Sequence, residues 1–142
     1  MITSGFPNIV ASSLPATKAW YVELLGWATE FDSDRFVHLK APDVPGVELG
    51  IIAAGHEIVP PALEPGPAGV LLTVVDDDVD APRERARGLG HEVIEEPRDL
   101  FYGQRRMILR DPAGTLVDVS SECEPSQEFL AGLAQRSEHG GR

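Results

Sequence analysis

The chain has 142 residues, 42% of them hydrophobic, with 23 Asp and Glu against 12 Lys and Arg, a formal charge of −11. A surface this negative repels phosphate backbones and anionic headgroups, which argues against nucleic acid and membrane surfaces as partners. The length suits one domain or two small fused halves. The single cysteine, Cys123, leaves no internal disulfide and no zinc site built on several thiolates.

Ile9 to Ala11 reads as a short apolar strand. Leu14, Ala16, Ala19, Trp20, Leu24 and Leu25 then recur at helical spacing, with Ser13 as the expected N-cap and Gly26 as the stop. Three strands follow, Trp27 to Phe31, Arg35 to Lys40 and Val47 to Ala53, separated by Asp32-Ser-Asp34 and Ala41-Pro-Asp-Val-Pro-Gly46. The stretch from Glu57 to Pro67, with Pro60, Pro61, Pro65 and Pro67, has no period and reads as a semi-rigid connector. Val70 to Val75 reads as a buried strand, too short for the ~20 apolar residues of a bilayer span. Asp78 is the expected cap of a helix over Val79 to Leu89, and Gly90 its stop. The strands His91 to Glu96, Arg105 to Arg110 and Leu116 to Ser120 complete the order, with Asp111-Pro-Ala-Gly114 a tight turn between the last two. Pro125 to Arg142 reads as a short docking helix around Phe129, Leu130 and Leu133, then a frayed end.

Two βαβββ modules in tandem emerge, an α+β fold with curved mixed sheets around a pocket. The first module is expected over residues 5–57, the connector over 58–67, the second module over 68–122 and the helix with its tail over 123–142. Gly26 and Gly90 lie 64 residues apart, whereas Pro42 and Pro112, and Glu48 and Asp118, lie 70 apart, so a six-residue insertion separates the copies. This places Glu48 and Asp118 at the same point of the last strand, with Val47, Leu49, Val117 and Val119 on the other face. Two carboxylates on one side of a sheet are the expectation. Each half of ~60 residues is marginal alone, which calls for pairing of halves within or between chains.

The segments Trp20-Tyr-Val-Glu-Leu-Leu-Gly26-Trp27, Asp77-Asp-Val-Asp-Ala81 and Tyr102-Gly-Gln-Arg-Arg-Met-Ile-Leu-Arg-Asp-Pro-Ala-Gly114-Thr-Leu-Val-Asp118, set in this tandem order, resemble the vicinal oxygen chelate superfamily. That superfamily holds glyoxalase I, bleomycin-resistance and fosfomycin-resistance proteins and extradiol dioxygenases. The resemblance implies, in metal-bearing members, one ligand near the start of each module, usually His, and one Glu from each last strand. The gap-free positions here are Phe6 and Leu71, both apolar, while Glu48 and Asp118 match the carboxylates. Half the ligand set remains, with His38, His56 and His91 as substitutes by sequence.

Two carboxylates alone would hold a divalent ion weakly. The first reading is therefore a metal-independent small-molecule binding protein without a cofactor, resembling bleomycin-type proteins, which are acidic and sequester a basic drug. Its ligand-binding candidates are Glu48 and Asp118 as anions, Phe6, Trp27, His38 and Tyr102 as walls, and Arg106 as a pairing cation. Either Arg105 or Arg106 should face the concave side and pair with Asp118 or an anionic group, since the two alternate. The second reading is a metal-dependent lyase or dioxygenase-like oxidoreductase with Glu48, Asp118 and His38 around a divalent ion. The third is an accessory domain with a vestigial cavity. Asp76-Asp-Asp78 reads as a helix cap, and Trp20 and Tyr21 as core. A homodimer is expected, and with no basic or apolar leader after Met1, so is the cytoplasm.

Overall fold

Strand β1 (Asn8–Ala11) leads into α1 (Leu14–Ala19), whose start is secured as expected, the Ser13 hydroxyl accepting from the Ala16 amide at 3.4 Å. The single α-helix expected to Leu25 is corrected: the chain loosens into a π turn over Trp20–Leu24. Apolar spacing does not separate the two windings, because residues 20, 21 and 24 share a face in both. Gly26, at φ 75°, ends the segment, its amide and that of Trp27 bonding back to the Val22 and Tyr21 carbonyls.

Strands β2 (Ala28–Asp32), β3 (Phe36–Lys40) and β4 (Glu48–Ala53) complete a four-stranded sheet in the order β1-β4-β3-β2, with β1 parallel to β4 and the other pairs antiparallel. Register decides the faces. Val37 pairs with Ile51 and Leu39 with Leu49, all four at most 1% exposed on the face against α1. Phe36, His38 and Lys40, opposite Ile52, Gly50 and Glu48, take the other face. Val47 precedes β4 and is exposed, so only Leu49 alternates with Glu48 as expected.

The second sheet repeats the order as β5-β8-β7-β6, formed by β5 (Leu71–Val75), β6 (Val93–Leu100), β7 (Gln104–Arg110) and β8 (Leu116–Glu122). Helix α2 (Asp80–Leu89) packs on β6 and stops at Gly90, φ 73°. It starts one residue later than expected, but Asp78 still accepts from the Asp80 amide at 2.9 Å. Met107, Leu109, Val117 and Val119 are fully buried. The added length of the second copy lies in β6 and β7, of eight and seven residues against five each in β2 and β3. Pro97 falls where β6 bulges at the sheet edge, the place a strand tolerates a residue without an N–H.

The expectation of a buried β5 is also corrected. Leu71 is 48% and Val75 61% exposed, on the face of this edge strand opposite the part-buried Leu72 and Val74. Helix α3 (Gln127–His139), capped by Ser126, is longer than the one or two turns expected.

The computed structural model describes residues 1–63, 66 and 68–140; Pro65 and Pro67 of the expected connector and Gly141 and Arg142 of the expected frayed end lie outside these. Two units divide the chain, Met1–Leu72 with Arg110–Leu116, and Thr73–Leu109 with Val117–Arg142. The 110–116 turn belongs with the first unit, where Tyr21 donates its hydroxyl to Asp111 Oδ2 at 2.6 Å. Among the described residues no helix is long and apolar enough to cross a membrane.

Candidate functional site

Strand alternation places His38 and Glu48 together on the face of the first sheet opposite α1, His38 Nε2 lying 2.7 Å from Glu48 Oε1. The His38 side chain is 16% exposed and that of Glu48 29%. Phe6 lies over the imidazole at 4.6 Å between ring centroids, and Phe36 meets it edge-on at 6.1 Å. Phe36 escaped the sequence reading, although its place two residues before His38 puts it on the same face.

Asn8 was missed as well. It pairs with Gly50, the residue opposite His38, and its carboxamide lies directly over that glycine. A Cβ at Gly50 would fall 1.9 Å from Asn8 Oδ1 and 3.1 Å from the Phe36 ring. Gly50→Ala is therefore expected to push the Asn8 side chain off the sheet at a cost of about 1 kcal/mol or less, since Ala also limits the unfolded chain. Urea denaturation of both single variants and the double variant checks this: Asn8→Ala should change stability in the wild type and not in Gly50→Ala.

Glu48 also borders a cavity of about 420 Å³ lined by Glu30 of β2, Lys40 at the end of β3 and residues of the loop that follows. Glu30, Asp43 and Glu48 face it with a single cation, Lys40, which is bound to Glu30 at 2.7 Å. That ion pair holds the Glu30 carboxyl below its ordinary range and lifts the Lys40 ammonium above its own. Glu48 and Asp43 leave the cavity with negative charge in excess.

In the second sheet Asp118 is 6% exposed and bonded at both oxygens: Thr73 donates to Oδ2 at 3.1 Å and the Ser120 hydroxyl donates to Oδ1. Glu48 and Asp118 thus stand on separate sheets, correcting the expectation of two carboxylates on one. The side chain that β5 offers to Asp118 is Thr73, two residues beyond Leu71, where a gap-free count places the implied ligand. Arg105 bonds Asp80 of α2 and Asp99, so alternation turns Arg106 to the opposite face. There Arg106 pairs with Glu95 at 3.1 Å and not with Asp118.

Trp27 is corrected from pocket wall to core; it is 6% exposed and meets the buried Tyr21 edge-on at 6.3 Å. Trp20 and Tyr21 are buried as expected. Tyr102 lies in the turn between β6 and β7 against Phe101. His56 caps a loop by accepting from the Ile58 amide at 3.2 Å.

These donors do not suit a divalent ion, which requires three or four N/O ligands. His38 and Glu48 offer two ligands at most, Phe6 has no donor atom to give, and among the described residues no group of three His, Cys, Asp or Glu assembles.

The Glyoxalase/Bleomycin resistance protein/Dioxygenase superfamily model matches residues 4–119. The chain belongs to this superfamily. Solved structures similar to this superfamily member include a glyoxalase-related enzyme from Fulvimarina pelagi (TM-score 0.73, 19% identity, 86% of this chain and 89% of that one). A glyoxalase/bleomycin resistance protein/dioxygenase from Nocardioides is also similar (TM-score 0.68, 24% identity, 89% and 87%). So is a family enzyme from Burkholderia phytofirmans PsJN (TM-score 0.69, 22% identity, 82% and 96%). No curated protein matches the chain. At these identities the likeness carries the glyoxalase-type fold, and the chemistry must be argued from this chain's own side chains.

Proposed function

We propose that this superfamily member is a metal-independent protein that binds and sequesters a cationic, partly planar small molecule, in the manner of bleomycin-type resistance proteins. The observation that carries the reading is the excess of carboxylate at the cavity beside Glu48, where Lys40 offsets only one of three acids. An ammonium or amidinium group gains a charge-assisted bond there. Phe6 and Phe36, on the same face as Glu48, supply apolar rings for a planar body. The net charge of −11 raises the local concentration of such cations. The cytoplasm is the proposed compartment, and the exposed aliphatic edge of β5 supports assembly with a second copy.

The 9-aminoacridine cation is a suitable probe by titration calorimetry and melting temperature. Binding is expected to weaken as salt rises, and Glu48→Gln should lower affinity roughly tenfold to a hundredfold, the worth of one hydrogen bond to a charged group. Absence of heat and of any melting shift across a set of cationic aromatics would overturn the reading.

A further inference from the structure

We propose that His38 and Glu48 form a metal-free proton-transfer pair, with His38 Nδ1 as the base that accepts a proton from an acidic C–H or N–H of a planar aromatic molecule. The proposal rests on the reading that this face of the first sheet holds a planar small molecule. An ionised carboxylate can only accept a hydrogen bond, so the 2.7 Å contact to Glu48 Oε1 places the imidazole hydrogen on Nε2 and leaves the Nδ1 lone pair free. Among the described residues nothing bonds Nδ1. A carboxylate behind an imidazole fixes its tautomer and orientation and stabilises the imidazolium formed when the proton arrives. Glu48 is in this sense a positioning residue. The rings of Phe6 and Phe36 keep the imidazole partly out of water and give a flat substrate surfaces to lie against. Asn8, whose carboxamide lies over Gly50 opposite His38, adds a polar group on the same face. The lone pairs that would otherwise ligate an ion are thus arranged for acid–base work.

The neutral probe 5-nitrobenzisoxazole tests this on the full chain. Nδ1 takes the C3 proton, the C–H electron pair becomes the third bond of a nitrile, and the N–O bond breaks with its electrons leaving on oxygen as a coloured phenolate. The proton then passes to water and the base is restored. His38→Gln is expected to lower kcat/KM roughly a hundredfold, the ordinary contribution of a positioned base. Glu48→Gln should lower kcat roughly tenfold with KM nearly unchanged, since it alters the base and not the binding of a neutral probe. Nitrogen-15 NMR of the wild type should show His38 as the Nε2–H tautomer, and Glu48→Gln should populate the Nδ1–H form. Equal rates for wild type and His38→Gln at matched melting temperatures, or an Nδ1–H tautomer in the wild type, would overturn the proposal. Acridine binding without His38-dependent elimination would remove the proton-transfer pair and leave the binding reading. His38-dependent elimination without acridine binding would do the reverse, and failure of both would remove both.

Discussion

Asp111→Ala is expected to cost about 3–5 kcal/mol of folding stability, several times the effect of an ordinary surface change. Asp111 is 3% exposed and its two oxygens serve three donors: the Tyr21 hydroxyl at 2.6 Å, the Ala113 amide at 2.9 Å and the Thr115 amide at 2.8 Å. Alanine leaves all three without that acceptor, and the Tyr21 hydroxyl is then stranded in a residue with no exposed surface. The loss should appear in urea denaturation as a lower midpoint with an unchanged slope. Asp111→Asn keeps an acceptor for the turn amides and should cost less than half as much. Equal losses for the two would show that packing, and not hydrogen bonding, holds the turn.

Stability above pH 10 should fall more steeply in the wild type than in Tyr21→Phe. Burial, reinforced by the charge and hydrogen bond of Asp111, drives the Tyr21 phenol far above its ordinary value of 10.0. The folded state therefore keeps this proton when the unfolded chain has released it. A group raised in this way contributes its full stabilisation below the unfolded pKa and loses it as pH climbs toward the folded value. The expected loss is about 1.4 kcal/mol per pH unit above pH 10. Every other group is common to the two proteins, so the difference between the two urea-derived stability curves isolates Tyr21. Parallel curves between pH 10 and 12 would mean that Tyr21 is not buried as a neutral phenol.

Much of the site was legible before any coordinates, and the part that was not has a common cause. Period-two alternation already puts His38 and Phe36 on one face of their strand, and Glu48 opposite Leu49 in burial. What alternation leaves open is the partner across the sheet. Asn8 enters the site only because β1 lies parallel to β4 in the register that sets it against Gly50, 42 residues away in the chain. The surroundings of Asp118 have the same origin: strand order in the second sheet brings Thr73 to one of its oxygens, while the Ser120 hydroxyl bonds the other. Trp27 was misassigned because a tryptophan after a helix stop carries no local sign of which side of the chain will be covered; its burial follows from Tyr21 packing against it.

The tandem βαβββ order, the cap at Ser13, the stops at Gly26 and Gly90 and the Asp111–Gly114 turn were all readable from the chain, because each depends on residues within a few positions of one another. The exposure of β5 at a sheet edge, the commitment of His38 to Glu48, and the bond from Tyr21 to Asp111 across 90 residues were set by folding. Such pairings are fixed by strand register and by which buried polar groups must satisfy one another, and neither is encoded in any short stretch of sequence.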